Sequence, residues 1–584
     1  YDSAGIAVRD NDSNIQIVKA KGRLKGLIEK TDAGHAVFGT CGIGHTRWAT
    51  HGEPSEINAH PHTSDDGNVV GVHNGIIENY QELKTKLIKN GYSFYSSTDT
   101  EVAVKLVDYY YKKYEHTPVD AINHAMVRIR GSYALAMMFE EYPNEIYVAR
   151  KDSPMIIGVA DGNCYIASDV PAILKYTRNV YYIGNMELGR LADGKATFYN
   201  LDGDEIQKDL VEIKWDAEAA EKGGYEHFMM KEIHEQPKAI HDTMNSKMND
   251  GRIDLSDVGL SEDDIKNISQ VIIVACGSAY HTGVVTQYVM EDLARIPVRV
   301  ELASEFRYRK PILNKNDLVI VVSQSGETAD TLAGLRLAKN QGVKTLGIVN
   351  VVGSSIAREA DNVFYTMAGP EIAVATTKAY SAQLIAGYML SIEFARVRGQ
   401  ITDEQYTDYI AELETIPDKI NKILEDKERI QWFAAKQANA QDIFFVGRGI
   451  DYAICLEGSL KLKEISYIHS EAYAAGELKH GTISLIEDGI LVIGSLTQPE
   501  LYEKTISNMV ECKSRGASLM ALTTVGNYSI EDTAEFTVYV PKTDEHFAAS
   551  LAVVPLQLLG YYVSVARGLD VDKPRNLAKS VTVE

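Results

Sequence analysis

The sequence predicts an α+β domain on the amino-terminal side, followed by two tandem α/β doubly wound modules. Short alternating or β-branched segments separated by turns occupy residues 1–213, which indicates a domain with much sheet. From residue 271 onward, continuous apolar runs such as Gln270–Ala275 and Leu318–Val322 alternate with helical stretches, as expected of parallel strands covered on both faces. The same strand–helix pattern recurs later in the chain, which predicts the second module.

The first domain is predicted to cover residues 1–214. Near Asp216–Gly224 the sequence becomes acidic, alanine-rich and then Gly-Gly, and this change of composition marks the boundary. Two helices are expected at Asn79–Asn90 and Asp99–Tyr114. The expected strands are Ser3–Val8, Asn14–Lys19, Gly67–His73, Tyr133–Phe139 and Glu145–Arg150.

The two modules are predicted at residues 215–400 and 401–568, with a tail at 569–584. In each copy one apolar strand leads into a glycine and another into a serine. These segments are Val271–Ala275, Gly277, Leu318–Val322 and Ser323 in the first copy, and Ile443–Val446, Gly447, Leu491–Gly494 and Ser495 in the second. The alternative is chance similarity, because strand–helix units of this size are common.

Composition restricts the possible partners. The chain has 584 residues and a net charge of -22, which argues against nucleic acid and acidic membrane surfaces as partners. Its five cysteines lie far apart, so neither a disulfide framework nor a CxxC metal site is expected, and the protein is predicted to be cytoplasmic. The longest apolar stretch, Leu551–Ala566, contains Pro555 and is predicted to be too short to span a bilayer.

The segment Ser323–Thr328 is the strongest local signal for ligand binding. It follows a buried strand and is expected to open a helix near Ser325, at the edge where open α/β sheets bind ligands. Several hydroxyl and N–H donors there could hold a phosphate without Lys or Arg, which would reconcile an anionic substrate with an acidic protein. The alternative is a capping box formed by Ser325 and Thr328.

A second signal is a charged face on a later helix. Glu457, Lys461 and Glu464 are spaced so that all three lie on one side, where a carboxylate beside an ammonium group could act as an acid/base pair. The alternative is a surface ion-pair ladder. Downstream, His480 lies in a glycine-flanked loop and could open a sugar ring by proton transfer, or could be an ordinary solvated histidine.

The first domain carries groups suited to binding an amino acid. Arg47 could clamp a carboxylate, Asn74 with the Gly75 N–H could form an oxyanion hole, and Asp99 could bind an ammonium group. The alternative is that the segment around Asp99 is simply the start of a capped helix. Histidines 45, 51, 60, 62 and 73 have a spacing that does not favour a metal site, and we expect none.

These segments together resemble one enzyme family over nearly the whole chain. His45–Gly52, Val72–Ile76 and Thr98–Glu101 resemble the glutaminase domain of class II amidotransferases, which are N-terminal-nucleophile hydrolases. The later segments resemble the flavodoxin-like sugar isomerase (SIS) modules of the glucosamine-6-phosphate synthase family. They are Cys276–Tyr280, Ser323–Thr328, Thr376–Lys378, Ala472–Gly481 and Asn576–Glu584.

The resemblance implies a reaction and its partners. L-Glutamine would be hydrolysed in the first domain, and ammonia would travel through an internal channel to aminate and isomerise D-fructose 6-phosphate. The product would be D-glucosamine 6-phosphate, in the first step of the hexosamine pathway. The family needs no cofactor and no metal, and the chain would form a homodimer.

The resemblance also implies residue roles. The glutamine site would comprise Arg47, Trp48, Thr50, His51, Asn74, Gly75 and Asp99, with Trp48 gating the channel. The sugar-phosphate site would comprise Gly277, Ser278, Ser323, Gln324, Ser325, Thr328, Val374 and Thr376. Glu464 would move the proton between sugar carbons 1 and 2, with Lys461 assisting. His480 of a neighbouring subunit would open the ring, and Lys579 in the tail, closed over the sugar, would form the Schiff base.

One departure from the family is notable. Family members begin with a cysteine nucleophile, whereas this sequence begins with Tyr1, so the chain as written is expected to bind glutamine without hydrolysing it. Two alternatives remain at this stage: a non-catalytic SIS regulator that binds a sugar phosphate, and another class II amidotransferase. A regulator would need neither Lys579 nor Glu464, and the other amidotransferase would lack the tandem modules.

Overall fold

A computed structural model of the protein describes residues 2–49, 51–114, 117–214 and 221–582. The chain divides into two compact units. Unit 1 comprises Tyr1–Ala217 together with Arg575–Glu584, and unit 2 comprises Glu218–Pro574.

Unit 1 consists of antiparallel sheets with helices, as the sequence predicted. Its helices are α1 (Leu24–Lys30), α2 (Tyr80–Lys89), α3 (Asp99–Lys113) and α4 (Pro118–Arg128). Its strands are β1 (Ser3–Arg9), β2 (Ile15–Lys21), β3 (Cys41–Arg47), β4 (His62–Thr63), β5 (Val69–Ile77), β6 (Gly131–Phe139), β7 (Glu145–Lys151), β8 (Ile156–Ala160), β9 (Asn163–Ala167), β10 (Asn179–Tyr182), β11 (Glu187–Ala192), β12 (Lys195–Tyr199), β13 (Glu205–Ile206) and β14 (Val211–Glu212).

The largest sheet of unit 1 has the strand order β13-β12-β11-β7-β6-β5-β4. Helix α3 packs on this sheet and is buried along most of its length, because its apolar residues recur on more than one face. The helix begins at Asp99 and is capped by Thr98, whose hydroxyl accepts the Glu101 N–H, so the alternative of a capped helix at Asp99 is confirmed. Because Thr98 supplies the cap, the Asp99 carboxylate is free to bond elsewhere.

Unit 2 alternates strands and helices. Its helices are α5 (Phe228–His234), α6 (Gln236–Asn245), α7 (Glu262–Asn267), α8 (Gly277–Ala294), α9 (Ala303–Phe306), α10 (Ala329–Asn340), α11 (Ser355–Glu359), α12 (Lys378–Val397), α13 (Asp403–Leu424), α14 (Lys427–Lys436), α15 (Ile450–Ser466), α16 (Tyr502–Lys513) and α17 (Ala548–Ala566). Its strands are β15 (Met248–Asn249), β16 (Arg252–Ile253), β17 (Gln270–Ala275), β18 (Val298–Leu302), β19 (Asp317–Ser323), β20 (Lys344–Val349), β21 (Asn362–Tyr365), β22 (Asp442–Gly447), β23 (His469–Ala474), β24 (Leu491–Leu496), β25 (Ser518–Thr524) and β26 (Phe536–Val540).

The two parallel sheets of unit 2 have the same topology. Their strand orders are β18-β17-β19-β20-β21 and β23-β22-β24-β25-β26, so the strands of each follow the flavodoxin-like order 2-1-3-4-5. The repeat is therefore confirmed, and chance similarity is excluded as its explanation. Each sheet has a topological switch point where its first and third strands meet, and this is the edge at which such sheets bind ligands.

Helix α17 lies in the core of unit 2. Together with the short 3₁₀ turn before it, the helical segment Glu545–Ala566 is long and apolar enough to cross a membrane, so the prediction that this stretch is too short is wrong. However, 89% of the most apolar 18-residue stretch of this segment is buried inside the protein, as in the core helix of a folded domain.

Candidate active sites

The loop between β19 and α10 presents a cluster of hydroxyl groups. Ser323 and Thr328 are hydrogen-bonded to each other through Oγ and Oγ1 at 2.9 Å, and the Gly326 N–H donates to Ser323 Oγ at 3.0 Å. Gly326 has a φ of +67°, and an added Cβ would lie 2.0 Å from Ser354 Oγ, so only glycine fits this turn. The loop is thus held in one shape, with its hydroxyls already turned toward one another.

The helix after this loop begins later than the sequence suggested. Helix α10 starts at Ala329 rather than near Ser325, and Thr328 at its N-cap makes no side-chain cap bond. The proposed capping box is therefore wrong. Ser325 Oγ instead accepts the Glu327 N–H at 3.1 Å, a local turn that competes with helix in this sequence.

The loop between β17 and α8 lies beside the hydroxyl loop, because β17 and β19 are paired neighbours, with Ala275 opposite Val322. Gly277 has a φ of +55°, which suits glycine, and Ser278 is in the first turn of α8. Two other residues predicted for the sugar site lie on the segment before α12. The Val374 N–H donates to the Asp572 carbonyl at 3.0 Å, and Thr376 is partly buried nearby in sequence.

The predicted charged face of α15 is inside the protein. Glu457 and Lys461 are buried, and the Lys461 ammonium contacts Glu457 Oε1 at 3.4 Å and forms a close ion pair with Glu464. The surface-ladder alternative is therefore wrong for these residues, whereas Lys463 on the same helix is exposed.

The environment of this cluster favours the charged forms of Glu457 and Lys461. Burial would raise the pKa of the Glu457 carboxyl, but Lys461 and the other groups around it outweigh burial and hold the pKa below its usual value. Burial would likewise lower the pKa of Lys461, yet the Glu464 and Glu457 carboxylates raise it above its usual value. Lys461 is therefore a protonated ammonium group between two carboxylates, suited to electrostatic support rather than nucleophilic attack.

The equivalent edge of the second sheet is occupied by a side chain of the protein itself. The buried Asp451 carboxylate accepts hydrogen bonds from the hydroxyls of Ser495 at 2.8 Å and Thr497 at 2.6 Å. It also accepts the backbone N–H groups of Thr497 and Gln498. Burial raises the pKa of Asp451 above its usual value despite these bonds. Ser495 and Thr497 correspond in the repeat to Ser323 and Ser325.

Two further predicted sugar-site residues are more peripheral in the single chain. Gln324 is partly buried, and its carbonyl accepts the Asn350 N–H at 3.1 Å. His480 is exposed at the end of the 3₁₀ segment Ala475–His480.

In unit 1, Arg47 and Asp99 lie at the end of β3 and the start of α3. Arg47 Nη2 donates to the carbonyls of His51 and of Gly52, the latter at 2.9 Å, while the buried Nη1 has no hydrogen-bond partner among the described residues. Burial lowers the pKa of Arg47, and the Asp99 carboxylate acts in the opposite direction. Asp99 accepts the Ile77 N–H at 2.9 Å. An unpaired guanidinium nitrogen beside a carboxylate can bind the two charged groups of an amino acid.

Asn74 and Gly75 lie on β5. The Asn74 Oδ1 atom pairs with His45 Nε2 at 2.7 Å, and Asn74 Nδ2 donates to Ser168 Oγ at 2.9 Å. Gly75 has a φ of +121°, and a Cβ there would lie 2.2 Å from the Ser132 carbonyl oxygen. Trp48 is 39% exposed. Thr50 lies outside the described residues.

The tail of the chain begins in unit 2 and continues in unit 1. Asp572 belongs to unit 2, where its carboxylate accepts the N–H groups of Phe228 and Met229 at the start of α5. Lys579 belongs to unit 1, where its charge lowers the pKa of Asp169, although burial has the larger effect and raises that pKa.

Comparison with known proteins gives a consistent result for both units. The glutamine amidotransferase domain family matches residues 45–175, and the SIS domain family matches residues 264–393 and 437–567. A glutamine–fructose-6-phosphate aminotransferase (isomerizing) of Caldanaerobacter subterraneus subsp. tengcongensis is 54% identical over 100% of this chain and 95% of its own length. The chain belongs to the glutamine–fructose-6-phosphate aminotransferase (isomerizing) family.

Other members of this aminotransferase family agree with that assignment. The enzyme of Clostridium acetobutylicum is 53% identical over 100% of this chain and 95% of its own length. The solved carboxy-terminal domain of the Francisella tularensis aminotransferase is 37% identical with a TM-score of 0.58, and it covers 60% of this chain and 100% of its own. The prediction of an amidotransferase domain followed by two SIS modules is confirmed.

Sequence reasoning about the aminotransferase missed one residue that contacts the buried charge cluster. His281 lies one turn after Ser278 on α8, and its Nδ1 atom is 2.7 Å from Glu457 Oε2. The available signal was a histidine in the second turn of a helix that begins at the ligand-binding edge of a parallel sheet. Its partner lies 176 residues further along the chain, and a contact at that separation leaves no trace in local periodicity.

The amidotransferase domain also contains a buried group of histidines. The rings of His45 and His60 stack with centroids 4.2 Å apart, and those of His60 and His62 are 5.3 Å apart. Thr100 Oγ1 lies 3.0 Å from both His60 Nε2 and His73 Nδ1. Among the described residues, no group of three or more His, Cys, Asp or Glu side chains is arranged to hold a metal ion.

These histidines should make unit 1 sensitive to acid. Burial lowers the pKa of His45 to about 4 and holds those of His60 and His62 well below the usual value. An unfolded histidine titrates near pH 6.5, so below that pH the unfolded chain binds protons that the folded unit does not. The free energy of unfolding of unit 1 should therefore fall as the pH decreases from about 6.5 to about 4. Hydrogen exchange at pH 7.5 and 5 measures this separately for each unit.

The matched variant is His60→Gln, whose amide can still reach Thr100 but gains no proton. It should reduce the acid sensitivity of unit 1 and leave unit 2 unchanged. Equal acid sensitivity of the variant and the unsubstituted protein in unit 1 would contradict the prediction.

Proposed function

We propose that this protein transfers the amide nitrogen of L-glutamine to D-fructose 6-phosphate and isomerises the sugar to D-glucosamine 6-phosphate, releasing glutamate. Such a reaction would begin the hexosamine pathway. The observation that carries the proposal is the buried cluster of Glu457, Lys461 and Glu464. Ser278, at the ligand-binding edge of the first SIS sheet, donates its hydroxyl to Glu457 Oε1 at 2.9 Å and so connects the cluster to that edge. A hydrogen bond between an acid/base cluster and the edge that carries the hydroxyl loop supports a site that both binds a phosphate and transfers protons.

In the sugar site, the phosphate is bound by the hydroxyls of Ser323, Ser325 and Thr328 with their backbone N–H groups. The neighbouring positions Gly277, Ser278, Gln324, Val374 and Thr376 complete the site. Because hydrogen bonds to a charged group contribute about 1.5–3 kcal/mol each, several of them can offset the repulsion from an acidic protein.

The chemical steps need an amine, a ring-opening group and a proton carrier. His480, supplied by a second copy of the chain in a homodimer, opens the sugar ring. The Lys579 amine attacks the carbonyl at carbon 2 of the open ketose, and water leaves as the imine forms. Ammonia then displaces the lysine. Glu464 moves a proton from carbon 1 to carbon 2, while the Lys461 ammonium stabilises the charge that develops.

The glutamine site supplies the ammonia. Arg47 binds the α-carboxylate of glutamine and Asp99 its α-ammonium group, as their proximity and burial favour. Asn74 and Gly75 form the oxyanion hole, and Trp48 and His51 line the glutamine pocket, with Trp48 gating the ammonia channel. The reaction requires no cofactor, and we place the enzyme in the cytoplasm.

The phosphate assignment is tested by the double substitution Ser325→Ala with Thr328→Ala. Losing two hydrogen bonds to a charged group should weaken fructose 6-phosphate binding by about 100-fold to 10,000-fold, as measured by calorimetry. Any glutamine hydrolysis should be nearly unchanged, because both substitutions lie outside the glutamine site. The matched control is Ser495→Ala, the corresponding hydroxyl of the second module, which should not change sugar affinity because it donates to Asp451.

Two results would contradict the proposal. Unchanged sugar affinity in the double variant would show that the phosphate does not bind at this loop. Sugar binding by the unsubstituted full-length protein without glucosamine 6-phosphate formation would favour the alternative of a non-catalytic SIS regulator.

A further inference from the structure

Both carboxylate oxygens of Glu457 are held by groups on another helix. Ser278 Oγ donates to Glu457 Oε1 at 2.9 Å, and His281 Nδ1 lies 2.7 Å from Glu457 Oε2. Glu457 is on α15 of the second module, whereas Ser278 and His281 are on α8 of the first. Glu457 is fully buried, and the His281 side chain is 12% exposed, so this contact lies inside unit 2. None of the steps above assigns a role to His281.

The charge state of Glu457 decides which atom carries the proton in its contact with His281. Burial acts to raise the pKa of this carboxyl, but Lys461 and His281 outweigh burial and keep it low, so the group is a carboxylate that only accepts hydrogen bonds. His281 must therefore donate, and the proton of its contact is on Nδ1. An N–H donor bonded to the γ carbon of residue 281 is the feature that the contact requires.

The orientation of Glu457 in turn affects Lys461. The Lys461 ammonium group contacts Glu457 Oε1 at 3.4 Å and pairs closely with Glu464. Lys461 is fully buried, so no water layer lies around it to accommodate a displaced counter-charge. A rotation of the Glu457 carboxylate would therefore move Lys461 relative to Glu464.

We infer that His281 is a positioning residue for the amination reaction: its Nδ1–H fixes Glu457, Glu457 fixes Lys461, and Lys461 holds Glu464 in place for proton transfer. The inference rests on the proposed function of Glu464. His281 contacts Glu457 rather than the sugar, so it acts on the rate of the chemical step. Sugar binding, which depends on the hydroxyl loop, is independent of it.

Three substitutions separate this role from general packing. His281→Ala removes the donor, and should lower kcat by about 100-fold, the effect expected of a misplaced catalytic group, with little change in KM for fructose 6-phosphate. In His281→Asn the amide nitrogen is bonded to the γ carbon, as Nδ1 is in histidine, so this variant should recover most of the lost kcat. In His281→Gln the nitrogen is one bond further out, and kcat should stay low.

The matched control is His469→Ala. His469 also bonds a carboxylate, Asp442, through Nδ1 at 2.7 Å, but this pair is largely exposed at the edge of the second sheet. Its loss should leave kcat unchanged. All variants are assayed for glucosamine 6-phosphate formation with glutamine, in protein whose chain includes the family's N-terminal cysteine nucleophile, and thermal unfolding of each confirms that it is folded.

The outcomes separate the inference from the function on which it rests. Absence of product from the unsubstituted protein would refute the proposed function. Normal activity of that protein, with equal kcat values for the alanine, asparagine and glutamine variants, would refute the positioning role alone. An effect confined to KM would also refute it. Should His281→Ala fail to fold, the contrast between the asparagine and glutamine variants still decides the question.

Discussion

Replacing Lys579 with arginine should reduce glucosamine 6-phosphate formation at least about a thousandfold, the scale seen when a covalent nucleophile is removed. Arginine keeps the positive charge and the length of the side chain, but its guanidinium group stays protonated at any accessible pH and cannot attack a carbonyl. Product formation by the full-length protein measures the effect. Lys573→Arg, an exposed lysine in the same tail, is the control and should retain activity.

Chemical trapping identifies the lysine directly. Borohydride reduction in the presence of fructose 6-phosphate should attach the sugar to Lys579, as shown by peptide mass mapping, and the Lys579→Arg variant should lose the adduct. Lys461 is the competing amine, but Glu464 and Glu457 raise its pKa and keep it protonated. A sugar adduct on Lys461 in the unsubstituted protein would overturn the assignment of Lys579.

Replacing Glu464 with glutamine should lower kcat by about 100-fold to 10,000-fold, the range that general acid–base groups contribute. Glutamine has nearly the same shape but cannot carry the proton between carbons 1 and 2. Exchange of the carbon-1 hydrogen with deuterated solvent should be lost along with product formation, while fructose 6-phosphate affinity changes little. Lys463→Gln on the exposed side of the same helix is the control. Persistent hydrogen exchange in Glu464→Gln would show that another group moves the proton.

Local patterns in the sequence were sufficient to predict most of the fold. The apolar runs Gln270–Ala275 and Leu318–Val322 became β17 and the body of β19, because strands covered on both faces must be apolar throughout. The spacing of Glu457, Lys461 and Glu464 also placed them correctly on one helix face. It could not show that this face is buried, since i, i+4 charge patterns are the same on a surface helix.

The remaining features depend on contacts between distant residues. The contact of His281 with Glu457 and the hydrogen bonds of Asp451 join residues far apart in sequence. The periodicity of apolar and polar residues along the chain cannot predict such contacts. The start of α10 was wrong by four residues because Ser325 forms a local turn with Glu327, and side-chain bonds of this kind compete with helix over a few residues.

The Asp451 carboxylate has a consequence for how a duplicated fold can specialise. In the first copy of the repeat, Ser323 and Thr328 bond each other. In the second copy, the corresponding hydroxyls and N–H groups bind a carboxylate that belongs to the chain. Because this carboxylate belongs to the same folded chain, its binding is intramolecular, and a free phosphate would have to displace it from hydrogen bonds that are already formed. Under the proposed function, the second copy would bind no anion of its own, and its α15 would supply Glu464 and Lys461 to a sugar bound by the first copy.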